Sequence, residues 1–273
     1  MSRKPKIAHI LLICIVALFI TAATVDAGTI SITPRVKQVI VEEKRGLEIS
    51  IDNSGDEAAK NAQIHIDLAG VTLSGPLWNT LSPKEEKSHT FFLETLPTAP
   101  GNHPVYVTID FTDLNMYPFT ALDVTLINVG ADSKPARLFG KSRPASIKKS
   151  GKLSFTLKNL DEEPKHVSVR VFGPREINFQ ATAPMLDLPA GSVIEKTMKV
   201  TNFSALAGAA YPVYLVFEYD LSDRHFTYAL KSRVSIQAGG ISMSSRKTVI
   251  FIGIAVVILA ALFEIIRRVA KKK

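Results

Sequence analysis

Between Gly28 and Gly240, apolar and polar residues take turns with a period of two. Leu47-Glu48-Ile49-Ser50-Ile51, Ile64-His65-Ile66-Asp67-Leu68 and Leu153-Ser154-Phe155-Thr156-Leu157 are clear examples. Successive side chains of a strand point to opposite faces, so each run predicts a strand with one buried face. Turn-forming clusters divide the runs: Asn53-Ser54-Gly55-Asp56, Ser82-Pro83-Lys84, Pro100-Gly101-Asn102 and Pro189-Ala190-Gly191. Short strands spaced in this way predict a sandwich or a barrel.

The pattern occurs twice. Residues 46–68 match 152–173 with one residue gained or lost in the turn, and Leu81-Ser82-Pro83 matches Leu188-Pro189. His103 to Leu122 aligns without gaps on Tyr211 to Leu230. A unit of about 100 residues is too long for a solenoid repeat and suits an immunoglobulin-like domain. The expected fold is all-β, with two tandem immunoglobulin-like β-sandwich domains, 28–130 and 131–238. In the second copy Tyr211, Val213, Leu215, Phe217 and Tyr219 should face the core, with Pro212, Tyr214, Val216, Glu218 and Asp220 outward. His103, Val105, Val107, Ile109 and Phe111 are the inward set of the first copy. Pro104 and Pro212 lack a ladder donor and are expected at the first residues of their strands. Gly101 and Gly208 permit the tight turn before them. Tyr211 occupies the place of a tyrosine corner, whose hydroxyl bonds back to the chain, and His103 replaces it in the first copy.

The run from Asn53 to Asn61, the Leu81-Ser82-Pro83 step and Gly101-x-x-Pro-Val-Tyr-Val107 resemble bacterial and archaeal Ig-like modules of the cell-adhesion-related (CARDB) type. They are also similar to the Ig-like module appended to some secreted glycosidases. The resemblance implies spacers, adhesion units or accessory domains, and it brings no catalytic residue.

The two ends change the picture. Residues 1–27 have the form of a signal peptide: Arg3, Lys4 and Lys6, an apolar run from Ile10 to Ala23, and Val25-Asp26-Ala27 at the cleavage point. An uncleaved amino-terminal anchor is the alternative. Cys14, the single cysteine, lies inside this segment, so the mature chain holds no disulfide. Residues 248–266 contain one charge, Glu264, and as a helix would measure about 28 Å, close to a bilayer's hydrocarbon thickness. A C-terminal transmembrane helix is therefore expected there, after a linker at 239–247. The basic tail 267–273, with Arg267, Arg268 and Lys271 to Lys273, belongs on the cytoplasmic side. Gly253, Ala255, Ala260 and Ala261 offer small residues for helix contacts. The formal net charge of +8 sits at these ends, because residues 28–245 carry 23 Lys plus Arg against 23 Asp plus Glu. That balance argues against a nucleic-acid partner.

Candidate chemistry is sparse. No metal-ligand, GxSxG or phosphate-loop motif occurs, so no catalytic, cofactor or metal residue is assigned. His65, His89, His103, His166 and His225 read as scattered surface and edge residues. Asp110, Asp113 and Asn115, and separately Glu218, Asp220 and Asp223, offer oxygens near two hairpins, either for calcium or as ordinary turn residues. Trp78 reads as an apolar plug aligned near Met185, with an exposed contact as the alternative. Asn202-Phe203-Ser204 is a glycosylation sequon, and Gly239-Gly240 faintly resembles a cleaved sorting signal. The expectation is a non-enzymatic, single-pass membrane protein with two Ig-like domains outside the cytoplasm. It would form a rod engaging a protein or glycan partner in the cell envelope. An accessory subunit of a transporter or envelope-assembly complex is the alternative.

Overall fold

The computed structural model describes residues 28–94, 96–130, 134–180 and 184–238, with Gly253 and Val256 as isolated helical positions. The predicted signal peptide, the linker and tail, and the rest of the 248–266 segment lie outside the described residues. Among the described residues no helix is long and apolar enough to cross a membrane.

The fold is all-β, with sheets of three, four and nine strands and a hydrophobic core in each half of the sequence; the nine-stranded sheet contains strands of both halves. The first half contains β1 (Ile32–Val41), β2 (Lys44–Asn53), β3 (Ala59–Leu68), β4 (Val71–Leu81), β5 (Glu86–Phe92), β6 (Gly101–Thr112) and β7 (Pro118–Val129). Strands β1, β2 and β5 pair in one sheet, and β4, β3, β6 and β7 in the other. Leu47, Ile49 and Ile51 of β2 meet Ile64, Ile66, Val105, Val107 and Ile109 between them. The second half contains β8 (Leu138–Arg143), β9 (Ala145–Ile147), β10 (Ser150–Asn159), β11 (Lys165–Phe172), β12 (Ile177–Gln180), β13 (Met185–Leu188), β14 (Val193–Asn202), β15 (Ala210–Leu221) and β16 (Arg224–Ile236). The order β12-β14-β10-β8 faces β13-β11-β15-β16 across a second core of Leu153, Leu157, Val213, Leu215 and Phe217. The inward sets expected from the alternation are in these cores, apart from His103.

The repeat extends to single polar atoms. Asn53 and Asn159 are fully buried at equivalent turns. The Asn53 amide donates to the carbonyls of Glu57 and Leu81, and that of Asn159 to Glu163, Leu188 and Pro189. Each side-chain oxygen accepts the N–H two residues on. A buried amide is stable only when so satisfied. The residue gained by the first copy is not in this turn. It lies within β3, where the register shifts between Lys60 and Gln63 and Asn61 has φ of 52°. The prolines also differ from expectation: both strands begin earlier, at Gly101 and Ala210. Pro104 lies just past the end of the β3 pairing, and Pro212 just outside the β11 pairing. Neither faces a neighbour there that requires its missing donor.

The outward face of β15 overturns its expected exposure. Tyr214 and Val216 are buried and pack with Tyr106 and Leu122 of the first half. The two halves therefore pack against each other through these faces. Strands β6 and β16 run parallel and meet at Gly101 and His225. Since β15 runs antiparallel to β16, the equivalent strands β6 and β15 point in opposite directions. The second copy is inverted relative to the first. One end of the molecule carries the 113–117 hairpin and the 203–209 loop, joined by the Tyr117 hydroxyl donating to the Ser204 carbonyl at 2.8 Å. Pro100, Gly101 and His225 meet at the other end.

Phe217→Ala should destabilise the protein by about 3–5 kcal/mol, because a fully buried ring leaves a cavity. Asn159→Ala should cost about 1–3 kcal/mol by leaving buried carbonyls without a donor. Urea unfolding measures both, and an Asn159→Ala midpoint equal to that of the parent would show that the buried amide is dispensable.

Candidate functional site

Gly101 makes the site possible. Its φ is 136°, and a Cβ there would lie 1.9 Å from the His225 carbonyl oxygen. Only glycine permits this approach. The His225 N–H donates to the Pro100 carbonyl at 2.9 Å, and Thr227 Oγ1 donates to the Asn102 carbonyl at 2.7 Å. These contacts bring His103 and His225 into a stack, with ring centroids 4.3 Å apart and planes 6° from parallel.

The two rings differ in charge. His225 Nδ1 lies 2.8 Å from Asp220 Oδ1, and Nε2 lies 3.2 Å from Glu218 Oε1. Carboxylate oxygens accept, so the two contacts favour the protonated ring, in which both nitrogens donate. The Glu218 hydrogen bond leads in raising its pKa. His103 instead donates from Nε2 to the Ala99 carbonyl at 2.8 Å. Burial leads in pushing its pKa down. Beside the pair, the Arg170 guanidinium lies 5.0 Å from the Tyr106 ring centroid and Phe172 packs against the ring edge. Burial leads in raising the Tyr106 pKa, opposed by the adjacent Arg170 guanidinium. Ala69, Pro97, His103, Tyr106, Arg170 and His225 help line an open cleft of about 370 Å³. It holds Arg170, the His225–Glu218 pair and a ring edge beside apolar walls, which suits a polar or aromatic group of a partner.

The cleft gathers residues that sequence reasoning kept apart. His103 and His225 do not belong among scattered surface histidines; 122 positions separate them. Glu218 does not face water. Its side chain is 17% exposed and that of His225 16%. Asp110 is also drawn into the junction: it pairs with Arg175 of the second half at 2.8 Å and accepts from Thr120. Asp113 closes its own hairpin by accepting the N–H groups of Asn115 and Tyr117, both at 2.8 Å. Asp223 lies in the β15–β16 turn with φ of 61°. Among the described residues no three His, Cys, Asp or Glu side chains are grouped to hold a metal ion.

The remaining candidates have local tasks. His65 bonds Ser74, His89 meets the Phe91 ring, and His166 pairs with Asp187 at the surface. Trp78 is half-buried against the first core, while Met185 is exposed and does not echo it. The Tyr211 hydroxyl accepts the Leu206 N–H at 2.9 Å, and His103 makes the matching bond to Ala99 as a donor. Both ends of the Asn202 amide bond Ala205, which commits the sequon asparagine to its turn. Gly239-Gly240, Ala255, Ala260 and Ala261 lie outside the described residues.

The two imidazole shifts predict opposed pH effects. His225 is held above the ordinary value of about 6.5, so its stabilisation is full below that value and is lost as pH rises through its folded pKa. His103 is held below it, so its stabilisation is full above about 6.5 and is lost as pH falls through its folded pKa. Urea midpoints should peak at about pH 6.5 and fall on both sides. His225→Gln should flatten the alkaline fall while the acid fall remains. An alkaline limb unchanged by this variant would show that the imidazolium does not support the junction.

No family model matches the chain, and no curated protein matches it in sequence. Solved structures with some likeness include native Escherichia coli alpha-2-macroglobulin, at 9% identity and a TM-score of 0.31, covering 75% of this chain and 17% of that one. A YadV chaperone matches at 13% identity and a TM-score of 0.31, covering 73% of this chain and 98% of that one. A protein of unknown function from Porphyromonas gingivalis W83 matches at 11% identity and a TM-score of 0.28, covering 75% and 99% respectively. The chain spans less than a quarter of the macroglobulin chains it matches. These likenesses are remote, and no residue role follows from them.

Proposed function

We propose that the protein is a non-enzymatic, single-pass membrane protein that holds two Ig-like modules, 28–130 and 131–238, outside the cytoplasm. It presents the cleft between them to a protein or glycan partner of the cell envelope. One observation carries this reading: the two described chain ends lie at one end of the molecule, and the histidine cleft opens at the other. Ile30 to Pro34 share a cleft with Leu206 and Ala209 to Pro212 at the first end. Gln237 bonds Ile147 beside them. A chain tethered there would hold the cleft away from the bilayer. The buried junction supports the same reading, because a presenting scaffold must keep its modules in fixed relation. Arg170 stacks over Tyr106 in the cleft wall, and its guanidinium suits an acidic or hydroxyl-rich group.

Reporter fusions after Gly240 and after Lys273 should read outside and inside the cytoplasm; the same side for both would refute the anchor. A photo-crosslinking residue at Thr98, on the cleft rim, should capture a partner whose yield falls on Arg170→Glu. Capture at Glu48, on the far sheet, with none at Thr98, would refute the cleft as the contact site.

A further inference from the structure

The end of the molecule opposite the histidine cleft has its own chemistry. Exposed large apolar side chains in the described sandwich lie mostly within strands. Five lie in turns or loops: Leu114, Met116, Leu160, Phe203 and Leu206. All except Leu160 gather at this end. Leu114 and Met116 are the tip of the β6–β7 hairpin, 60% and 63% exposed, and Phe203 is 83% exposed. The Tyr117–Ser204 hydrogen bond fixes the two tips beside each other. Lys148 and Lys149 are next to them, because the Asn202 N–H and amide donate to their carbonyls. An exposed apolar cluster with cations nearby is costly in water and is a mark of an interaction surface.

The chain path says what covers it. Gly208 donates to the Ile236 carbonyl, so the last strand leaves from within this cluster. The nine residues 239–247 separate it from the apolar run that begins at Thr248, a reach of at most about 30 Å. Charge divides across this end: Leu114 and Met116 belong to the acidic half, and Phe203, Lys148 and Lys149 to the basic one. Residues 28–130 carry 7 Lys plus Arg against 13 Asp plus Glu, and residues 131–245 carry 16 against 10. The basic half is the one tied to the apolar run.

We propose that this end is a bilayer-seating surface: Leu114, Met116 and Phe203 enter the headgroup layer, and Lys148 and Lys149 lie against anionic headgroups. The proposal rests on the anchored reading above and adds a second, non-spanning contact with the same membrane. Apolar tips gain by leaving water, and basic residues gain near an anionic surface. The hairpin and the 203–209 loop belong to different halves, so the seat also fixes the direction in which the cleft points.

The test uses the full chain carrying Cys14→Ser, reconstituted in nanodiscs of phosphatidylcholine and phosphatidylglycerol. One fluorophore is placed at Phe203→Cys, Met116→Cys or, at the opposite end, Ile40→Cys. A headgroup-attached quencher should quench the Phe203 and Met116 probes at least about threefold more than the Ile40 probe. Lys148→Gln with Lys149→Gln should lower that quenching in anionic discs and leave it unchanged in phosphatidylcholine alone. Equal quenching at all three positions, in chains that remain in the disc after alkaline washing, overturns the seat and leaves the anchor intact. Chains washed out of the disc overturn both. Excimer emission between pyrene labels at Phe203→Cys, without lipid quenching, would assign the tips to a second copy and also overturn the proposal.

Discussion

Burial of Tyr214 and Val216 on the outward face of β15 is the contact on which the arrangement depends. A strand of a sandwich needs one covered face; β15 has two. Tyr214 and Val216 on its second face leave water by packing against Tyr106 and Leu122. Once these faces meet, the ends of β6 and β16 are forced together. The missing side chain of Gly101 then allows backbone contact where any Cβ would collide. The charged contacts follow from that registration. Arg175 reaches Asp110, and Tyr214 donates to Asp123, only because the sheets are already in place.

Electrostatics around the histidine stack pair the His225 ring with carboxylates. His225 is cationic and touches two carboxylates, while its stacking partner His103 is kept neutral by burial and by a carbonyl that only accepts. Two imidazolium rings at 4.3 Å would repel. One of each charge state is the arrangement that satisfies every nitrogen bonded there. The cost of removing the His225 ring exceeds the pair's net stabilisation, since Glu218, 17% exposed, would be left without its partner.

Much of the sandwich was legible in the sequence because alternation reports burial directly. Leu153, Phe155 and Leu157 face one core because polar residues separate them, and the Tyr211 hydroxyl bond followed from its place before the Val213–Tyr219 run. The junction was not legible for a physical reason. Period-two alternation identifies the more apolar face of a strand and is silent on whether the other face is also covered. Tyr214 and Val216 are good strand formers on either face. Glu218 looked solvated because its partner, His225, is contributed across a hairpin, and His103 arrives from the other copy. The bulge at Asn61 was misplaced into a turn because an alignment gap has no preferred position within a polar stretch.

The inversion of one copy against the other limits what duplication can achieve. The Asn53 turn points toward the end where the chain ends leave, and the Asn159 turn points away from it. Each loop of the repeated unit is therefore offered once in each direction. A multivalent target approaching from either side meets one copy of any given loop, so avidity from paired identical loops is geometrically closed within one chain. The two copies are free to diverge, because a change that suits one loop to its surroundings at one end has no counterpart to match at that end.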